Sequence, residues 1–263
     1  MPELAEVDYF RRQWDPGLGS KINRVHVQGD KRLFRGNDPK LFPALAGTKL
    51  ISSESAGKQM LFRFSGDFWL GIHLGMTGKL SIAEPTHVPA KHDHLVLYQK
   101  ERALVFNDPR QFGRVLIHQK KETPEWWEKI APAVTSRTFT LSYMSDFLRR
   151  HGRLPMKAAL LHQKGFPGIG NWMADEILWR AGVSPKRLSS DLQAGQLKRL
   201  HEEVRFVARE ALKKIGPAFD DPPKSWLFHQ RWSSKGTCPK HKTKLKRETI
   251  GGRTTAWCPQ CQK

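Results

Sequence analysis

Leu4, Val7, Phe10 and Trp14 recur at the interval of a helix face, so the chain is expected to open with an amphipathic helix. The pattern then changes. "KINRVHV", "KQMLFRF", "FWLGIHL", "HLVLYQ", "ALVFN" and "RVLIH" are short, alternating or apolar, and are separated by Gly, Asp or Pro. Such segments predict a β-rich domain, a sandwich or flattened barrel, reaching to about residue 118. "KKETPEWWEKIAPAVTSRTF" carries no strand pattern and reads as a connection. From about residue 143 the helical period returns in "SYMSDFLRRH", "MKAALLHQ", "NWMADEILWRAG" and "LQAGQLKRLHEEVRFVAREALKKIG", with Gly182 and Gly216 as stop signals. "PAFDDPPKSWLFHQRW" has little periodicity. It leads into "KTKLKRETIGGRTTAW", two short strands around a Gly-Gly turn signal. No internal repeat or low-complexity tract interrupts this order.

A chain of 263 residues can bury a proper core and divides into two domains or one domain plus a small module. No apolar run reaches membrane-spanning length, and the N-terminus lacks a signal peptide's basic start and apolar stretch, so an intracellular protein with no membrane span is expected. The 45 Lys and Arg against 25 Asp and Glu give a net charge of +20, which calls for a polyanionic partner. Charge alone leaves DNA, RNA and an anionic membrane open. The nine tryptophans favour a compact fold over a disordered basic tail.

The three cysteines, Cys238, Cys258 and Cys261, all lie at the C-terminal end, which argues against a disulfide framework. With His241 they read C-x2-H-x16-C-x2-C, the spacing of two facing zinc knuckles. Thiolate and imidazole suit tetrahedral zinc, and four protein ligands leave no open position, so one structural zinc ion is expected. Residues 235–263 hold eight Lys or Arg against one acid, which marks this finger as facing nucleic acid.

Other residues carry two readings each. Pro2 and Glu3 suit a helix start, but removal of Met1 would leave Pro2 a free secondary amine beside a carboxylate. "GFPGIGNWMADE" is either an ordinary turn or a phosphate cradle made of N–H groups at a helix entry, where Asn171 could cap the helix or reach a phosphate oxygen. Lys58 stands at the start of an apolar strand, where a lysine can simply protect an edge. Met76 and Phe112, with Arg110 beside it, lie in loop-like segments and fit either a core or the wedges that fill the hole left by an extruded base.

"MPELAEV", "GK" at 57–58, "HLGMTG", "KHDH" at 91–94, "DPRQFG", "GIGNWMADE" and a terminal finger ending "CPQCQK" follow one another across nearly the whole chain. In that order the sequence resembles the formamidopyrimidine-DNA glycosylase and endonuclease VIII family. The resemblance implies an α+β multidomain protein. It would have an N-terminal two-layer β-sandwich with flanking helices (1–134), a helix-two-turn-helix domain (135–231) and a β-hairpin zinc finger (232–263), with DNA between the halves. It implies a monomeric bacterial enzyme of the cytoplasm, associated with the nucleoid, acting on double-stranded DNA that contains a damaged base or abasic site. The implied activity is base-excision glycosylase and abasic-site lyase. A catalytically silent lesion-binding protein of the same fold is the alternative.

By the same resemblance Pro2 is the nucleophile that attacks C1′, Glu3 transfers protons at the opened sugar, Glu6 supports the site, and Lys58 assists chemistry near the lesion. His94, Arg110, Asn171 and Arg253 are implied at the DNA, and Met76, Arg110 and Phe112 fill the void, which favours the formamidopyrimidine type. Ala5, Gln111 and His241 depart from the usual pattern, as does the shortened stretch "IGPAFDDPPKSWLFHQRW", where such enzymes carry a loop over the flipped base. Oxidised pyrimidines, ring-opened or alkylated purines and a bare abasic site therefore all stay open as substrates.

Overall fold

The computed structural model describes residues 1–29 and 31–263. The chain divides into two compact units, Met1–Pro2 with Glu6–Ile130, and Glu3–Ala5 with Ala131–Lys263. Helix α1 (Leu4–Arg12) is counted in both: Leu4 and Ala5 are buried in the helical core, whereas Val7 is buried in the β core.

Among the described residues the first unit contains eight strands: β1 (Arg24–Val27), β2 (Leu50–Ala56), β3 (Gln59–Phe64), β4 (Phe68–His73), β5 (Lys79–Ala83), β6 (Asp93–Tyr98), β7 (Ala103–Asn107) and β8 (Arg114–Gln119). They form two antiparallel four-stranded sheets of order β1-β6-β7-β5 and β2-β3-β4-β8. Alternation puts Met60, Phe62, Phe64, Leu70 and Ile72 of one sheet against Leu95, Leu97, Leu104 and Phe106 of the other, with Trp14 sealing the layer. Strands β2 and β5 do not stand out in the apolar pattern: "LISSESA" carries three serines and a glutamate where β3 and β4 carry apolar residues, and "KLSIA" opens on a lysine and has a serine at its centre. The connection expected after β8 contains a single turn of helix, α2 (Glu125–Glu128).

In the second unit, α3 (Leu141–Arg150) begins at Thr140, whose Oγ1 accepts from Tyr143 N–H at 3.1 Å. Helices α4 (Met156–Leu161), α5 (Asn171–Ala181) and α6 (Ala194–Ala218) complete the bundle. Gly182 ends α5 in the left-handed conformation at φ +72°, as its position predicts. Gly216 does not end α6: it is buried within the helix, which continues through Pro217 and stops at Phe219, φ +61°. The finger is a hairpin of β9 (Lys246–Ile250) and β10 (Arg253–Trp257), and its Gly251-Gly252 turn has φ of +60° and +73°, the signature of a type I′ turn. Among the described residues no helix is long and apolar enough to cross a membrane.

Candidate functional site

Glu3 is 3% exposed. Its Oε1 accepts from Trp172 N–H at 2.9 Å and its Oε2 from Met173 N–H at 3.1 Å, so a carboxylate caps the first turn of α5, at the positive end of the helix dipole. Glycine makes this possible. A Cβ on Gly170 would stand 2.2 Å from Glu3 Cδ, and one on Gly168 (φ +88°) 2.7 Å from Leu4 Cδ1. Leu4 N–H also donates to Gly168 C=O at 3.0 Å. The Gly-Ile-Gly turn therefore cradles an anion, as its composition suggests, but at Trp172 and Met173 that anion is Glu3. Pro2 precedes this clamped residue and is half-buried, and Glu6 is half-buried in the first turns of α1.

Lys58 is not the first residue of a strand. Ala56 pairs with Gln59, which leaves Gly57 (φ +60°) and Lys58 as the two-residue turn between β2 and β3. The half-buried lysine is thus carried on the tip of a rigid hairpin. His73, a residue the sequence reading passed over, lies opposite Gln59 in the register and accepts at Nδ1 from Gly75 N–H at 3.1 Å. Burial, with the nearby Lys58 charge, holds its pKa below the ordinary histidine value and favours the neutral ring.

The loops bearing Met76 and Phe112 are packed backbone to backbone, since a Cβ on Gly75 (φ +62°) would meet the Phe112 carbonyl carbon at 2.4 Å. Buried Asp108 ties them together by accepting from Thr77 Oγ1 and from Gly113 N–H, both at 2.7 Å. Three side chains remain outside. Met76 is 37% and Phe112 48% exposed, and the Arg110 guanidinium lies 4.9 Å from the Phe112 ring centroid. These are not core residues.

His94, expected at the DNA, is fully buried. Its ring nitrogens lie 2.9 Å from Gln28 Oε1 and from the Asp108 carbonyl, so both are engaged inside the unit. It braces the loop that presents Arg110. The half-buried histidine of "KHDH" is His92.

In the second unit Asn171 occupies the first position of α5 without capping it, and its Nδ2 donates to Thr254 C=O at 3.0 Å. That bond brings it next to Arg253, which is exposed at the hairpin tip. Beneath the pair lies a charged network absent from the sequence reading. Asp175, 1% exposed, accepts from Lys157 Nζ at 2.5 Å, from Arg231 Nη2 at 2.7 Å and from Ala256 N–H at 3.0 Å. Lys157 Nζ also donates to Asn171 C=O at 2.7 Å. Burial pushes the lysine pKa down and Asp175 opposes that shift. One carboxylate thus joins α4, α5, the segment before the finger and β10.

The donor atoms of Cys238, His241, Cys258 and Cys261 all lie within 4.8 Å of one another. Cys238 Sγ is 3.9 Å from Cys261 Sγ and 3.6 Å from His241 Nδ1. Ligand bonds of about 2.3 Å to sulfur put the corners of a tetrahedral zinc site about 3.8 Å apart, so the cluster fits that ion. Its protonation points the same way. Burial raises both thiols, but donors including Trp179 Nε1–H more than offset it at Cys238, bringing that thiol to about 6, while Cys261, beside the other two sulfurs, is pushed up to about 12. A cation among the sulfurs would relieve the crowding that raises Cys261.

The stretch that departs from the family pattern starts in the last turn of α6 and ends around a 3-10 turn, Leu227–His229, beside which Trp226 is 2% exposed. Phe228 packs edge-on against Trp172 and Trp232, and Trp232 is 58% exposed.

A family model described as the formamidopyrimidine-DNA glycosylase N-terminal domain matches residues 1–115, and one described as the H2TH domain of the same glycosylase matches residues 130–220. The chain is 35% identical over 272 residues to the formamidopyrimidine-DNA glycosylase of Solibacter usitatus (strain Ellin6076), with 100% of both chains covered. It is 33% identical to that of Carboxydothermus hydrogenoformans (strain ATCC BAA-161 / DSM 6008 / Z-2901), again with 100% of both covered. A solved structure of the Lactococcus lactis enzyme in complex with DNA containing an oxidized pyrimidine aligns with a TM-score of 0.89 at 26% identity over 100% of each chain. Another, non-covalently bound to DNA containing an AP site, aligns at 0.87 and 26% over 99% of each.

Proposed function

The chain belongs to the formamidopyrimidine-DNA glycosylase family, and from that premise we propose that this DNA glycosylase of base-excision repair is also an abasic-site lyase that works through its N-terminal amine. Loss of Met1 frees the Pro2 nitrogen. The nitrogen lone pair forms a bond to C1′ of the damaged nucleotide as the glycosidic bond breaks and the base leaves with the bonding pair, and opening of the sugar ring gives an iminium. Removal of a C2′ proton then expels the 3′ phosphate, and a second elimination can expel the 5′ phosphate. An α-amine suits this task because its reference pKa of about 7.7–8.0 leaves a useful neutral fraction where a lysine is almost fully protonated.

The observation that carries the reading is the clamp on Glu3. A buried carboxylate fixed by two N–H groups at a position that only glycine permits, on the residue that follows Pro2, supports the reading of Glu3 as the proton-transfer group of an N-terminal nucleophile. A protein that only binds lesions has no need for it. Lys58 on its hairpin tip assists near the lesion, with Glu6 supporting. Asn171 and Arg253 hold backbone phosphates, and Met76, Arg110 and Phe112 occupy the space of the extruded base. His92 replaces His94 as the histidine facing DNA. Cys238, His241, Cys258 and Cys261 hold one structural zinc that fixes the finger. The protein acts as a monomer on duplex DNA in the bacterial cytoplasm, with functional domains 1–134, 135–231 and 232–263.

A panel of duplexes, each with one damaged base or an abasic site, scored for base release and for the chemistry of the cut ends, tests this function. Cleavage at the abasic duplex and at one or more damaged bases is expected. Tight binding to the abasic duplex without cleavage of any member would replace the enzyme with a silent lesion binder.

A further inference from the structure

A cavity of about 720 Å³ opens on the outer face of the β2-β3-β4-β8 sheet. Arg32, Arg35, Arg114, His73, Gln111 and Trp126 are among its walls, and among the described residues no acidic side chain lines it. The volume is that of a ligand site, about 300–1,000 Å³. Its arginines are exposed, and among the described residues none of the three is in an ion pair. Three guanidinium groups turned on one hollow repel one another, and an anion among them relieves that repulsion.

The hollow is built rather than accidental. Asn37 docks the loop bearing Arg32 and Arg35 onto the open edge of β8, donating from Nδ2 to Val115 C=O at 2.9 Å and accepting at Oδ1 from Ile117 N–H at 2.8 Å. Leu33, 1% exposed, pins the turn between the two arginines. The opposite wall is the Trp126 indole, seated on β4 where a Cβ on Gly71 would stand 2.5 Å from Cζ2, and held by Nε1–H donating to His118 Nε2 at 3.3 Å. An apolar wall beside a cationic one lowers the local dielectric and strengthens attraction for an anion. Through Gln111 and His73 the cavity adjoins the Phe112 loop and the Lys58 hairpin.

We propose that this cavity is a further phosphate subsite for DNA, in which Arg32, Arg35 and Arg114 hold one phosphate of a strand beside the lesion, apart from the residues that remove the base. The proposal rests on the DNA-glycosylase reading above. The phosphate is either an internal diester of the intact strand or the terminal monoester left by strand cleavage, and planar guanidinium forks suit both.

The test is the full-length triple variant Arg32→Ala/Arg35→Ala/Arg114→Ala. Its binding is measured against salt on an intact duplex with an abasic-site analogue, a one-nucleotide-gapped duplex with terminal phosphates, and the same gap dephosphorylated. Loss of one phosphate contact should lower the magnitude of the log-log salt slope by about one and weaken binding by about tenfold at moderate salt. On a fourth duplex, carrying a damaged base, the single-turnover rate of base release at saturating protein should stay unchanged. A loss confined to the phosphorylated gap identifies the terminal monoester, and an equal loss on all three identifies the internal diester. Unchanged slope and affinity on every duplex would overturn the proposal, as would a slower base-release rate with the slope intact. Wild-type protein that releases no base, yet binds with a slope the variant reduces, would refute the glycosylase reading and leave the subsite standing.

Discussion

Gly170→Ala isolates the clamp that positions Glu3. The added methyl would lie 2.2 Å from Glu3 Cδ, 2.4 Å from Cγ and 2.4 Å from Oε1, so the carboxylate must leave the Trp172 and Met173 N–H groups. Backbone strain plays no part, since Gly170 has φ −124° and ψ −159°, which alanine can adopt. Hydrogen bonds to a charged group are worth about 1.5–3 kcal/mol each and overpacking costs about 1–3 kcal/mol, so with partial relaxation a loss of about 3 kcal/mol is expected. Up to about 1 kcal/mol of that total comes from alanine being a poorer N-cap than glycine and does not involve Glu3. The double-mutant cycle with Glu3→Ala separates the two: in the Glu3→Ala background Gly170→Ala should cost only about 1 kcal/mol, a coupling of about 2 kcal/mol. Denaturant unfolding reads the stabilities. Strand cleavage by Gly170→Ala alone should fall at least about tenfold, because misplacement of a catalytic group by an ångström costs on that order or more. Equal destabilisation by Gly170→Ala in both backgrounds would refute the clamp.

Four further outcomes follow from the same geometry. Met76→Ala should impair release of a base that must be flipped more than cleavage at a preformed abasic site, since filling the void offsets an unstacking cost of a few kcal/mol or so; equal losses would return Met76 to a packing role. Arg253→Ala should weaken binding to damaged and undamaged DNA alike and reduce the salt slope by about one, as measured by titration at several salt concentrations. Lys157→Met leaves Asp175 with one cationic partner fewer in a buried site and should cost about 3–5 kcal/mol in unfolding, with DNA affinity falling as Asn171 and the hairpin lose their common support. Metal analysis should find one zinc per chain, and chelation should unfold the hairpin, read by proteolysis within residues 235–263, while the β-sandwich persists.

Much of the fold was legible because central strands such as β3 and β4 are apolar on alternate positions and helix ends such as Gly182 carry their own stop signal. What escaped notice is tertiary in origin. Strands β2 and β5 carry serines and charged residues among their apolar ones, which blurs the alternation, and Gly216 reads as a helix stop although packing against the bundle carries α6 through it. The candidate site was legible where a residue type is unusual in its setting, as with the Gly-Ile-Gly turn and the C-terminal thiols. Asp175 and Lys157 sit in helical stretches where a charge is ordinarily solvated, and only their burial reveals the network. His94 shows the opposite failure: a motif histidine looks like a ligand, and only both engaged ring nitrogens disclose a brace.

The most direct test of the account is the identity of the amine that reacts with C1′. Borohydride added during reaction with an abasic duplex should trap a covalent protein–DNA adduct, because an iminium is reducible and a product of direct water attack is not. Mass spectrometry should place the adduct on Pro2 in protein lacking Met1, and protein that retains Met1 should trap little, since its Pro2 nitrogen is an amide. An adduct on Lys58, or full lyase activity with a blocked N-terminus, would contradict the account and leave Pro2 and Glu3 as the start of a helix.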